Sequence, residues 1–255
     1  MKLRIFYASF TMAPMEVTPI KTRVFKEGED LVTFIRANIP ELSNGAVLVV
    51  TSKIVALAER RTATFRNKKD KVRLIKEESD YAMHTKYTWL TIRDGLVMAS
   101  AGIDESNANG KLILLPRDCF ITAAVLRKTL LKLYRIRKLG IIITDSRLFP
   151  LRNGVVGVAL GYAGFKGLKD YRGLKDIFGR KFHFEKSDIA DSLATAAVLV
   201  MGEGSERQPL TVITGAPVDF VERIDKKELR IDIKEDVYQP LFARIKRIKW
   251  GKKRY

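Results

Sequence analysis

The sequence predicts a mixed α/β fold, and three observations carry that prediction. Ala46-Val47-Leu48-Val49-Val50 and Ile141-Ile142-Ile143 are wholly apolar, strand-length runs, opened by the Asn44-Gly45 turn and by Gly140. Between and after them lie stretches of helical period, of which Asp188 to Met201 is the clearest: Ile189, Leu193, Ala196 and Val200 recur at spacings of four, three and four. Hydrophobic residues make up 46% of the 255, enough for a sizeable core, so disorder is excluded as the default. That length allows one large domain or two intertwined ones.

In chain order, residues 1–25 read as one or two strands broken at Pro14 and Pro19. The Met1–Ala8 start lacks a sustained apolar run and reads as a strand, not a signal peptide. Lys26–Asp30 is a turn, and Asp30 caps a helix over Leu31–Ala37. Strand Ala46–Val50 runs straight into Thr51-Ser52-Lys53 and then into a helix beginning Ile54–Glu59. Hydroxyl, hydroxyl and lysine at a helix start offer backbone N–H groups and a fixed cation to a phosphate; an ordinary capped helix start is the other reading. The glycines of a Walker loop are missing.

Residues 62–76 are rich in Lys and Arg without a period and read as a surface segment; 77–88 have helical character. Leu90 to Met98 forms strands around the Asp94-Gly95 hairpin turn. Asn109-Gly110 turns into a strand over Leu112–Leu115, ended by Pro116. Phe120 to Tyr134 is a helix whose other face carries Arg127, Lys128, Lys132 and Arg135, either a nucleic-acid-binding face or a solvated one. The glycine-rich stretch 151–180 reads as tight turns between short strands. In the helix at Asp188–Met201, Ala190, Ala194 and Ala197 make a small face and Gly202 stops the chain. Pro209–Gly215 is a strand, and Val237–Trp250 an amphipathic end with a basic tail.

Composition excludes several classes. Cys119 is the only cysteine, so no intrachain disulfide forms and a reducing compartment fits. His84 and His183 are the only histidines, which argues against a His-rich zinc site. No apolar run approaches the roughly 18 residues of a membrane span. The expected location is the cytoplasm. The net charge of +18 fits either a polyanionic partner or a solvated basic surface, with basic density at 126–138 and 243–254.

The chain is organised around Ala99-Ser100-Ala101-Gly102-Ile103-Asp104-Glu105-Ser106-Asn107, an acidic, amide-bearing loop released by Leu96-Val97-Met98. Ile143-Thr144-Asp145-Ser146 and Met201-Gly202-Glu203-Gly204 have related chemistry. Each delivers a carboxylate beside a hydroxyl or a glycine. Three carboxylates on separate segments suit a divalent-cation and phosphate site better than a core. For Glu203 alone, a solvated turn is the competing reading.

An ordered set of motifs then carries a resemblance: Thr51-Ser52-Lys53-Ile54-Val55-Ala56, Ala101–Asn107, Ile143-Thr144-Asp145-Ser146, Asp170-Tyr171-Arg172-Gly173, Phe178-Gly179-Arg180 and Ala190-Asp191-Ser192-Leu193-Ala194. In this order they resemble the coenzyme F420-0:L-glutamate (gamma-glutamyl) ligase family over roughly residues 20–215. The resemblance implies a mixed α/β fold with two intertwined subdomains, mixed sheets flanked by helices, as one domain across 1–255 with a basic extension at about 237–255. It implies a homodimeric ligase using GTP as co-substrate and Mg²⁺ or Mn²⁺, joining L-glutamate to an anionic, F420-0-like acceptor through an acyl phosphate. Carried over by position, Asp104 and Asp145 are the catalytic carboxylates, and Asp104, Asp145, Ser146 and Glu203 the cation ligands. Thr51, Ser52, Lys53, Asn107, Gly202, Glu203 and Gly204 hold the nucleotide.

Two stretches depart from the family pattern. After the aspartate the family usually reads Thr-Phe-Gly-Arg-Pro-Trp-Arg, and here the chain reads Ser146-Arg147-Leu148-Phe149-Pro150-Leu151-Arg152. Thr22-Arg23-Val24-Phe25 stands where a Leu-Pro-Glu-Ile type is usual. The alternative function, from another class, is a non-catalytic basic protein on the same fold that contacts nucleic acid or an anionic surface.

Overall fold

The structure is a computed structural model, and it describes residues 14–242. The expected strand at Met1–Ala8 and the basic tail beyond residue 242 lie outside the described residues. The first half of the chain forms β1 (Glu16–Ile20), α1 (Leu31–Asn38), β2 (Ala46–Thr51), α2 (Ser52–Ala58), β3 (Thr62–Ala63), α3 (Lys68–Glu77), β4 (Tyr81–His84), β5 (Trp89–Arg93), β6 (Leu96–Ala99) and β7 (Leu112–Ile113). A 3-10 turn over Ser100–Gly102 follows β6. The second half forms α4 (Cys119–Tyr134), β8 (Leu139–Leu148), β9 (Val155–Ala163), β10 (Leu168–Asp170), β11 (Lys186–Asp188), α5 (Ile189–Met201), β12 (Leu210–Thr214) and α6 (Gln239–Phe242). The mixed α/β class predicted from sequence is the class observed.

A five-stranded mixed sheet, in the order β1-β12-β2-β8-β9, forms the main lobe. Only β2 and β8 run parallel; the other pairs are antiparallel. Helices cover both faces. Leu48, Val50, Ile141 and Ile143 face one core with residues of α1, α2 and α4, while Val47, Val49 and Ile142 face the other with α5. Burial on both faces is why β2 is apolar without alternation. Each such side chain contributes about 1.5–3 kcal/mol on burial. Asp30, Asp118 and Asp188 cap α1, α4 and α5 by accepting from backbone N–H groups three residues on.

Glycine supplies the close packing. A Cβ on Gly157 would sit 2.4 Å from the Ala194 carbonyl oxygen, and one on Gly161 would sit 2.5 Å from the Cys119 carbonyl carbon. These two glycines let β9 meet α5 and α4 nearly backbone to backbone. The stretch expected to be short strands and turns therefore contains a nine-residue strand. The same contact turns α5: its small residues Ala190, Ala194 and Ala197 are fully buried, whereas Ile189, Ala196 and Val200 of the apolar stripe are only part-buried.

A smaller lobe packs beside the sheet. It holds the antiparallel β4-β5-β6 sheet, the β3-β7 pair and α3. Among the described residues, its apolar cluster is small, built on Ile75, Ala101, Ile103, Leu112 and Leu114, and Arg61, Glu78 and Arg93 are buried in the same lobe. The Asp94-Gly95 hairpin forms as expected.

Several expectations are corrected. Residues 68–77 are helical, capped by Asn67; their apolar residues are only Val72, Leu74 and Ile75, of which Ile75 alone is buried, too few to show a period. Residues 81–84 form a strand because β5 pairs with them, a contact that helical character within 77–88 does not encode. Pro19 does not break β1, since that strand is the edge of its sheet. Arg127 does not belong to a solvated face: it is buried, donates to the Leu139 carbonyl and makes a two-pronged pair with Glu222. Of the amphipathic end expected over Val237–Trp250, residues 237–242 lie within the described residues, and Gln239–Phe242 of these are helical.

Candidate active site

The site forms where the parallel strands end. The β2–β8 register places Thr51 opposite Thr144, so Ser52 and Asp145 stand side by side where that pairing ends, Ser52 opening α2 and Asp145 continuing in β8 against β9. Ser52 Oγ lies 3.4 Å from Asp145 Oδ1. Ligands of open α/β sheets gather at such carboxyl ends, because loops there diverge from a rigid edge. Just before Asp145 the β8–β9 register slips: Ile143 faces Gly161 but Thr144 faces Ala159, leaving Leu160 as an extra residue. This β-bulge bends the pair as it leaves the core.

The Asp104 loop comes from the small lobe. Ser100 and Ala101 have positive φ, and the Ala101 N–H donates to Thr91 Oγ1 at 2.8 Å. Gly102 also has φ +70°, and the Leu115 side chain packs where a Cβ would be. Reciprocal backbone bonds with Ile113 then fix Asp104. Its carboxylate accepts from the Ser106 N–H at 2.7 Å and the Ser106 hydroxyl at 3.0 Å. Lys53 Nζ pairs with Asp104 Oδ2 at 2.7 Å and donates to the Ser106 carbonyl at 3.0 Å. Lys53, in the first turn of α2, thus reaches across to the small lobe.

The third loop leaves α5. Gly202 ends that helix at φ +78°, where the Glu206 side chain crowds it, and the Gly204 N–H donates to Glu206. Asn107 donates to the Gly204 carbonyl at 3.3 Å, tying the Asp104 loop to the Glu203 loop. The Thr22 N–H donates to the Arg207 carbonyl, which closes the ring of segments.

These segments enclose a cavity of about 560 Å³, within the range of small-molecule sites. Every residue singled out from sequence lies in its wall: Thr51, Ser52, Lys53, Asp104, Asn107, Asp145, Ser146, Gly202, Glu203 and Gly204. Residues of 22–25 and 205–209 complete it. Arg207 and Glu206 were not singled out, and no local motif marks them; the long-range bond to Thr22 places their loop. Arg147 was noted only as a departure. Its spacing of two from Asp145 on a strand puts both on one face, and that was the available signal.

The electrostatics are those of clustered carboxylates. Burial pushes the Asp145 carboxyl above its ordinary value and Asp104 adds to the rise, against the pull of Arg147 and Lys53. Burial likewise raises Glu203, with Asp145 and Asp104 adding to it, while the Ser146 hydroxyl and Lys53 act the other way. For Asp104 burial acts upward, but Lys53 and the Ser106 groups outweigh it and hold the carboxyl below the usual range. Among the described residues, no three His, Cys, Asp or Glu side chains are gathered into a metal-holding group. The donor set still fits Mg²⁺ or Mn²⁺. Hard oxygen donors from carboxylates and hydroxyls converge on one cavity, and Mg²⁺ is usually held by one or two carboxylates together with substrate phosphates, not by an all-protein cage. Among the described residues no helix is long and apolar enough to cross a membrane.

Comparison with known proteins agrees with the motif order. Residues 19–215 match the family model F420-0:Gamma-glutamyl ligase. The coenzyme F420:L-glutamate ligase of Methanopyrus kandleri is 36% identical over 220 residues, covering 79% of this chain and 86% of that protein. The protein of the same name from Archaeoglobus fulgidus is 34% identical over 223 residues, covering 80% and 89%. That of Methanocaldococcus jannaschii is 31% identical over 229 residues, covering 81% and 90%. With most of its length matched, and its candidate site residues at one cavity, the chain belongs to the F420-0:gamma-glutamyl ligase family.

Proposed function

We propose that this protein is a GTP- and divalent-cation-dependent ligase that joins L-glutamate to the carboxylate of an anionic, F420-0-like acceptor. One observation carries the reading: the Asp104 and Glu203 loops, Asp145 of β8 and Lys53 converge on a single cavity where the parallel pairing of β2 with β8 ends. A free carboxylate is a poor electrophile at neutral pH, so the reaction needs activation. The acceptor carboxylate attacks the γ-phosphorus of GTP, forming an acyl phosphate and GDP. The amine of L-glutamate then attacks the acyl carbon, phosphate leaves, and the amide forms with loss of the ammonium proton.

The chain's own residues supply positioning and charge. Lys53, held by Asp104 and Ser106, is a fixed cation at the mouth of α2 for the phosphates. Asn107 and the Gly202–Gly204 turn, joined by their hydrogen bond, shape the nucleotide wall. Asp104, Asp145, Glu203 and the Ser146 hydroxyl would hold Mg²⁺ or Mn²⁺, which neutralises phosphate charge and orients its oxygens when bound. The basic balance of the chain favours approach of an anionic acceptor.

We propose further that the protein is a homodimer. The arm from β10 to β11 carries Leu174, Ile177, Phe178 and Phe184 largely in solvent. Four such side chains on one short arm favour burial against a second copy.

Thermal unfolding with GTP or ATP, each with and without Mg²⁺ or Mn²⁺, tests the reading. A nucleotide at a hundred times its Kd stabilises by about 2.7 kcal/mol. Cation-dependent stabilisation by GTP over ATP, followed by glutamylated product from F420-0, is the expected result. No shift with either nucleotide sinks it.

A further inference from the structure

The carboxylate cluster leaves one neighbour without a role. Arg147 is 6% exposed and is not part of the cavity wall. Its Nη1 lies 3.0 Å from Asp145 Oδ2, while Asp145 Oδ1 faces Ser52, which does line the cavity. The two oxygens of one carboxylate are therefore divided. One is held by a guanidinium outside the cavity wall, and the other lies beside a hydroxyl of a residue in that wall. Among the described residues, Nε and Nη2 of Arg147 have no hydrogen-bond partner. Leaving two buried donors unpaired is costly, and an apolar side chain of similar length would fill the same space more cheaply. Packing alone does not account for an arginine here.

We infer that Arg147 is a positioning residue that restricts Asp145 to one-oxygen ligation and so biases the site toward small octahedral cations over Ca²⁺. The inference rests on the reading of Asp145 as a cation ligand. Mg²⁺ demands near-ideal octahedral geometry, which single oxygens supply. Ca²⁺ takes six to eight oxygens and gains from a carboxylate that presents both. A partner fixed behind a ligating carboxylate decides which oxygen it offers. The planar guanidinium does this with a set direction, which a flexible ammonium lacks.

The test is titration of the full chain, in the presence of GDP, with MnCl₂ and with CaCl₂, corrected for binding to GDP alone. The readout is the ratio of the two affinities in the wild type, Arg147→Met and Arg147→Lys, with Asp145→Asn as the control. Arg147→Met should lower the preference for Mn²⁺ over Ca²⁺ by about tenfold, and Arg147→Lys should restore part of it. A merely structural role would leave the ratio where it was. If Asp145→Asn loses Mn²⁺ but Arg147→Met keeps the wild-type ratio, the inference falls and the site reading stands. If Asp145→Asn binds Mn²⁺ as the wild type does, or the wild type binds none, both fall. Arg147→Gln gives the same readout should the Met variant fail to fold.

Discussion

Asp145 and Asp104 face one cavity but stand on unlike foundations. Asp145 extends a strand whose preceding residues, Leu139 to Thr144, are buried in a sheet covered by helices on both faces. Asp104 sits on a loop of the small lobe, whose apolar cluster is much smaller. That lobe is completed by charge: Glu78 pairs with Arg61 at 2.7 Å and with Arg93 at 2.9 Å, all three buried. Close-packed apolar layers resist displacement, whereas a buried ion cluster holds only while every partner is present. One side of the site is thus built on volume and the other on pairing. Lys53 spans the gap between them.

That contrast breaks most sharply at the ion cluster. Glu78→Gln leaves two buried guanidinium groups facing a neutral amide and should cost about 3–5 kcal/mol in urea unfolding. Hydrogen exchange should show β5 and β6 losing protection while β2 and β8 keep theirs; uniform loss would mean the two lobes are one cooperative unit.

On the other side, volume is the weak point. Gly161→Val would drive a side chain into the α4 backbone at Cys119 and Phe120, costing about 3 kcal/mol. Here β8 and β9 should lose exchange protection first. A cost well under 1 kcal/mol would show that α4 can shift freely.

The bridge between the halves comes next. Lys53→Ala removes a charge-assisted contact and should weaken GTP binding by roughly ten- to a hundredfold in calorimetry, with a smaller effect on Mn²⁺ affinity. Equal loss of both would place Lys53 at the cation instead of the phosphate.

The smallest effect is a pH dependence within the main lobe. Burial pushes the Asp188 carboxyl up to about 6, with the Asp191 and Glu228 carboxylates adding to it. An ordinary aspartate in the unfolded chain titrates near 3.9. Between those values the unfolded chain releases a proton that the folded chain keeps, so stability falls as pH rises through about 4 to 6. Asn caps a helix as well as Asp does. Asp188→Asn should therefore remove that share of the pH dependence and be more stable at pH 7.5 by on the order of 1 kcal/mol, solvent screening included. A stability difference between Asp188→Asn and wild type that is the same at pH 4 and pH 7.5 would rule it out.

How much was legible in sequence follows the same division. Strands β2 and β8, helix α5 and the Asp94-Gly95 hairpin were readable because each is specified by its own residues: an apolar run, a cap, a period, a turn pair. The three carboxylate segments were readable because glycines and hydroxyls stand beside each acid, on the loops of Asp104 and Glu203 and on the strand of Asp145. Helix α3 and strand β4 were not, since one shows a single buried residue and the other is held by its neighbour. Arg127 and Arg147 look in sequence like any surface arginine, yet both are buried against carboxylates, one of them 95 residues away.

By itself, then, the sequence determined the class of fold, the covalent order of the motifs and the short-range geometry of each loop, because these depend on contacts within a few residues. Tertiary structure alone decided that the loops meet. The parallel register of β2 with β8 sets Ser52 beside Asp145, the Ile113 bridge sets Asp104 opposite, and Asn107 ties in the Glu203 loop. Which charges are buried, and against which partners, is set by the same long-range packing. Burial is a property of the assembled layers, and no window of sequence contains it.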